Sequence, residues 1–160
     1  MMEQSVIKKK INQKTLKEIN LFLEEFYPES KKAADAMVEV KLKSAQARGL
    51  ETLVATTTRF SEIINYVKRQ TGKDNKKDNW AKTLKKQGND PDIKLGTKLI
   101  KQLEKLEEQA ESISKEDDVA NCLDIKLRLA RGWVTQVVCH YLYGMKTADE
   151  GGKKNKNDNE

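Results

Sequence analysis

The sequence predicts an all-α fold: a compact bundle of five to six helices with a disordered C-terminal tail. Three observations lead there. Apolar residues recur at steps of three and four along most of the chain, the spacing that lines one face of a helix. Alternating runs of β-branched residues are almost absent. The composition is 37% hydrophobic and 35% charged, as expected of helices with one buried face and one wet face. A chain of 160 residues can bury a core within one domain. That domain is assigned to residues 1–146, with 147–160 as a polar tail of Gly, Lys, Asn, Asp and Glu after its first few residues.

Taken in order, residues 1–10 are expected to fray. Ile7, Ile11, Ile19, Phe22 and Phe26 set the first helical face, with Leu16 and Leu23 beside it. Pro28 is expected to end that helix, because the residue before a proline is pushed out of the α region. A second helix is read from Glu29 to Ser44, with Ala33, Ala34, Met37 and Val38 inward and Gly49 as a break. Leu50, Leu53, Thr57, Phe60, Ile64 and Val67 continue the helical spacing over 50–70. Three β-branched residues, Thr56, Thr57 and Thr58, place a bend or break there. Gly72 is the expected C-cap, with cations in the last turn.

Beyond it, Gly72 to Asn79 is a polar loop and Asn79 to Gln87 a short helix with Trp80 and Leu84. Gly88 to Pro91 forms a turn into the next helix. That helix has Leu95, Leu99, Leu103, Leu106, Ala110 and Ile113 inward and Glu104, Glu107, Glu108 and Glu111 outward. The last and longest helix is read from Ser114, an N-cap followed by acids at Glu116 to Asp118 that suit the dipole. Its stripe is Val119, Leu123, Leu127, Ala130, Val134, Val137, Tyr141 and Met145, widened by Cys122, Leu129 and Trp133. A helix that apolar must touch several neighbours. Asn121, Asp124, Arg128, Arg131 and Thr135 form its outer face.

The net charge of +6 is unevenly placed. Residues 1–58 contribute +2, residues 59–101 contribute +7 and residues 102–160 contribute −3. A local positive field of this kind suits a polyanion such as nucleic acid, although a lysine-rich solvated surface has the same composition. No apolar run reaches the about 18 residues of a membrane span, and the N-terminus has no signal-peptide core. Cys122 and Cys139 lie 17 residues apart on one expected helix, too far to bridge each other. A soluble, cytoplasmic setting is the expectation.

Catalytic groups are scarce, and the chain is read as no enzyme and as needing no cofactor. The single histidine, His140, sits next to Cys139, and adjacent helical positions point about 100° apart, so the two form no dyad. Arg131 and His140 have eight residues between them, more than separates the Arg and His of the all-α HEPN ribonucleases. Ligands for a zinc site are lacking, and Gly72-Lys73 lacks the rest of a phosphate loop. No small-molecule substrate is implied.

The basic residues are more informative. Lys68, Arg69, Lys73, Lys76, Lys77, Lys82, Lys85 and Lys86 fall within 19 residues. They could neutralise a run of phosphates with little sequence readout. Trp80, inside the cluster, either stacks on a base or pins its segment to the core. Arg128 and Arg131, spaced i, i+3, offer a second place to hold a backbone, unless Arg128 pairs with Asp124 four residues before it. Arg48 and Arg59 flank the Leu50–Thr57 segment and extend the stripe.

Three stretches suggest a family. Arg48-Gly49-Leu50-Glu51-Thr52-Leu53-Val54 leads to Phe60-Ser61-Glu62-Ile63-Ile64-Asn65-Tyr66-Val67-Lys68-Arg69-Gln70-Thr71-Gly72-Lys73. Later comes Lys126-Leu127-Arg128-Leu129-Ala130-Arg131-Gly132-Trp133-Val134. This order resembles the small helical subunit of type III CRISPR effector complexes, of the Cmr and Csm kinds, over roughly residues 30–146. It does so as a pattern of pieces and not as a run of identities. Where that family commonly has proline and glycine ahead of the first apolar helix, this chain has Thr56-Thr57-Thr58. The resemblance implies a non-catalytic, RNA-binding subunit whose copies stack as a filament beside guide and target RNA, in contact with other effector subunits. The alternatives are a free-standing helical DNA-binding or regulatory protein and a pure protein-interaction bundle.

Overall fold

The computed structural model describes residues 11–73, 78–85, 93–117 and 121–157. These form five α-helices: α1 (Gln13–Glu39), α2 (Ser44–Thr56), α3 (Phe60–Gly72), α4 (Leu95–Glu116) and α5 (Cys122–Asn157). A 3₁₀ turn, Asn79–Ala81, sits between α3 and α4. Among the described residues the only pairing of strand type is one antiparallel bridge between Thr83 and Lys94. The expected all-α bundle is what the chain forms, and no described helix is long and apolar enough to cross a membrane.

α5 is the hub, packing against α1, α2, α3 and α4. Ile125, Leu129, Ala130, Trp133, Val137 and Tyr141 are fully buried along it, so its apolar arc exceeds one stripe, as its sequence anticipated. Leu123 departs from that expectation and is exposed, because it falls on the outer side of the first turn. The helix begins at Cys122 and not at Ser114. Ser114 lies inside α4, and Asn121 supplies the N-cap by accepting from the Asp124 amide at 3.1 Å. Ile7, Val119 and the turn expected over Gly88 to Pro91 lie outside the described residues. The α5 backbone is helical as far as Asn157, and the rest of the expected tail lies outside the described residues.

α1 continues through Pro28, correcting the expected stop. A proline inside a helix costs about 3 kcal/mol through its missing hydrogen bond and ring clash. Burial of Ile19 and Phe26 before it, and of Ala33, Ala34 and Met37 after it, holds both halves against the core. Carbonyls around the proline gain side-chain donors. Gln136 donates to Leu23 O at 3.4 Å, and Gln102 donates to Glu29 O at 2.8 Å. Close approach of α5 to α1 is permitted by Gly132, where an added Cβ would lie 2.4 Å from Leu23 Cδ1. Gly96 does the same for α3 and α4, since a Cβ there would meet Thr71 Oγ1 at 1.7 Å.

The corner between α1 and α2 is at residues 40–43, not at Gly49, which is inside α2. Leu42 N–H bonds to Met37 O and Lys41 N–H to Val38 O, both at 3.0 Å, with Lys41 at φ 56°. This is a Schellman C-cap in which a lysine occupies the left-handed position usually given to glycine. The apolar contact that accompanies the motif comes from the fully buried Leu42 and Met37. Remote donors finish the corner. Asn79 Nδ2 donates to Val40 O at 2.7 Å, and the Tyr141 hydroxyl donates to Leu42 O.

The break expected at the threonines is present: α2 ends at Thr56 and α3 starts at Phe60. Thr57 Oγ1 accepts from the Arg59 amide at 3.1 Å and bonds Glu62 Oε2 at 2.7 Å, tying the turn to the first turn of α3.

At one end of α1 a carboxyl pair joins it to α4. Asp117 accepts from Thr15 Oγ1 at 2.9 Å and meets Lys14 Nζ at 3.5 Å, with the Glu18 carboxyl beside it. Burial and the neighbouring Asp117 carboxylate raise Glu18 above its ordinary value. For Asp117, burial alone would raise the carboxyl, but bonds from Thr15 and Glu18 and the Lys14 charge outweigh it and lower the value. The pair is most stable holding one proton. The Asp117 contribution is lost as pH falls through its lowered value, and the Glu18 contribution is lost as pH rises through its raised one. The contribution of the pair is therefore greatest between its two shifted values. Glu18→Gln, which keeps a donor to Asp117 and never ionises, should shrink the fall in Tm as pH rises above the ordinary carboxylate range. An unchanged pH profile in thermal melts would refute the pairing.

Candidate nucleic-acid interface

The cationic residues singled out in the sequence divide into three groups. Arg48, Arg59, Lys68, Arg69, Lys73, Lys82 and Lys85 are exposed. Lys76, Lys77 and Lys86 lie outside the described residues. Arg128 and Arg131 are engaged within the fold.

Arg59 and Arg69 are brought together. Arg59 is the N-cap residue of α3 and Arg69 lies in its last turn. Both line one open groove of about 400 Å³ with Leu53, Glu62, Asn65 and Tyr66. Glu62 tempers the field, since its Oε1 lies 3.7 Å from Arg59 Nη1, an exposed pair worth little in water. Among the described residues, Arg48, Lys68, Arg69, Lys73, Lys82 and Lys85 make no ion pair. Tyr66 gives the groove an aromatic edge and is held at right angles to Trp80, ring centroids 6.1 Å apart. Asn65 and Tyr66 were missed by charge reasoning. Their position four and three residues before Arg69, on its helical face, was the available signal.

The segment after α3 is not the expected helix over Asn79 to Gln87. It makes one 3₁₀ turn and then extends, with Leu84 N–H bonding Ile93 O at 2.8 Å and Leu95 N–H bonding Lys82 O at 3.1 Å. Trp80, inside the 3₁₀ turn, and Leu84, on the extended part, are both buried in the core. The Trp80 ring is fully buried, and its Nε1 donates to Gln46 Oε1 at 3.0 Å. Of its two readings, the core anchor is the one the fold adopts. Lys82 and Lys85 point into solvent from this strap, and Lys94 is exposed beside it through the Thr83–Lys94 bridge. Lys94 belongs to the basic middle third of the chain but is not among the cations that the sequence singles out.

Arg131 has partners within the fold. Its Nη2 donates to Thr57 O at 3.2 Å and its Nε to Val54 O at 3.4 Å. It thus satisfies carbonyls at the C-terminal, negative end of α2. Arg128 is exposed but paired with Asp124 at 3.4 Å. The acidic face of α4 is not wholly solvated either. Lys126 of α5, half-buried, bridges Glu107 at 3.3 Å and Glu111 at 3.7 Å. Burial would lower the Lys126 value, but the Glu107 bond prevails and raises it, keeping the ammonium charged.

His140 packs against Tyr27, ring centroids 5.0 Å apart, and Cys122 and Cys139 are free thiols. Among the described residues no group of three or more His, Cys, Asp or Glu is placed to hold a metal ion. Comparisons with protein-family models, curated proteins and solved structures find no match for the chain.

Proposed function

We propose that the chain is a non-catalytic subunit that binds single-stranded RNA through its α2–α3 face. The observation that carries this reading is the groove in which Arg59 and Arg69 stand about three turns of helix apart beside Tyr66. Two guanidiniums spaced along one helix suit phosphates on either side of a nucleotide or two of one backbone, and an aromatic edge between them suits a base. Contacts of that kind grip without reading sequence. Membership of a type III CRISPR ribonucleoprotein, with guide and target RNA and further copies of the chain as partners, rests on the resemblance of the sequence pattern alone.

Titration against single-stranded RNA, single-stranded DNA and duplex DNA at two salt concentrations tests the reading. Salt-sensitive binding to RNA without sequence preference is expected. Arg59→Glu with Arg69→Glu should weaken it by about tenfold or more and flatten the salt slope, by ~0.7 for each phosphate no longer neutralised. Preference for a particular duplex sequence would favour the regulatory alternative, and a salt slope near zero would favour an interaction bundle.

A further inference from the structure

On the side of the bundle where α1 and α4 run antiparallel, two depressions of about 480 and 200 Å³ adjoin, sharing Phe22 and Gln109. The first is bounded by Phe26 and Glu29 on α1 and by Lys105 and Glu108 on α4. The second continues past Glu18 and Glu25 to Ile113 and Glu116. The floor is apolar. Phe22 and Phe26 stack with centroids 5.3 Å apart, and Leu21, 60% exposed, stands at the rim. Five carboxylates border the trough, and Lys105 is the one cation among its lining residues. The lined stretch runs from Glu18 to Glu29, roughly 16 Å or three helical turns.

We infer that this acidic, aromatic-floored trough docks a cationic amphipathic helix of another protein. An apolar stripe spaced i, i+3/i+4, i+7 would lie on Phe22, Phe26 and Leu21, the helix-in-groove mode of recognition. Lysines or arginines flanking that stripe would meet Glu25 and Glu29 on one wall and Glu108 and Glu116 on the other. The charge argument selects this occupant, because the carboxylates repel a nucleic acid and leave an uncharged helix with five acids to desolvate. The inference is independent of the RNA reading, which concerns the α2–α3 face.

The test uses the full chain and a labelled synthetic helix of about 14 residues, with leucines on one stripe and lysines flanking it. A peptide of scrambled order and identical composition is the control. Fluorescence anisotropy should show saturable binding to the amphipathic peptide only, weakened by salt. Glu25→Lys with Glu108→Lys, both exposed positions, should weaken it by about tenfold, and Leu21→Ser by about fivefold. Arg59→Glu with Arg69→Glu should leave it unchanged. Equal binding of the scrambled peptide, no binding, or indifference to both groove variants would overturn the proposal. So would a concentration-dependent dimer, seen by sedimentation without peptide, that the groove variants abolish, because the occupant would then be a second copy.

Discussion

Gln102→Leu is expected to lower the unfolding free energy by about 3 kcal/mol, a fall in Tm of about 6–12 °C for a chain of this size. Gln102 is buried on α4 between the two longest helices. Its Oε1 accepts from Trp133 Nε1 of α5 at 2.9 Å, and its Nε2 donates to Glu29 O of α1 at 2.8 Å. One amide thus bridges three helices where no water replaces it. Leucine fills similar volume, so the loss is one of polar satisfaction and not of packing. The indole N–H is left buried without an acceptor. Trp133→Phe in the same background removes that orphan and should recover part of the loss. A double-mutant cycle should return a coupling of about 1 kcal/mol or more. Additive effects in denaturant titrations would show that the bridge is dispensable.

Trp80→Ala should cost about 3–5 kcal/mol, the usual range for emptying a large aromatic site. The ring is fully buried against Tyr66 and is the main apolar anchor of the strap bearing Lys82 and Lys85. Trp80→Phe separates anchoring from ligand stacking. It keeps an apolar ring while giving up part of the indole volume and the bond to Gln46, and Gln46 also bonds Asp78 at 3.2 Å. RNA affinity of Trp80→Phe should stay within about twofold of the parent, because a ring inside the core meets no base. A loss of about tenfold, the scale of ~1–3 kcal/mol for a stacked base, would place the ring at the ligand instead.

The fold was legible wherever periodicity was long. Leu95, Leu99, Leu103, Leu106, Ala110 and Ile113 are all buried as spaced, and the threonines mark a real break. Boundaries were less legible because tertiary contacts set them. Pro28 is overridden by packing on both sides, which a local rule cannot register. The corner at Lys41 lacks the glycine that would have signalled it, and its donors come from Asn79 and Tyr141. For the proposed interface, charge density is highest in the third of the chain that carries the Arg59–Arg69 groove. It could not separate the solvent-facing Arg69 from Arg131, whose guanidinium is spent on the end of α2. That distinction depends on which helix end lies opposite, and such information is not local.

The α1–α2 corner has a kinetic consequence. Its carbonyls at Val40, Lys41 and Leu42 wait for partners 39, 38 and 99 positions along the chain. Chain loops of those lengths must close before the corner is complete, and closure entropy is met ahead of the contacts that reward it. A lysine in a left-handed conformation gives the corner little reason to form alone. The two helices that meet there can therefore grow early, while the angle between them is set late, when the last helix docks.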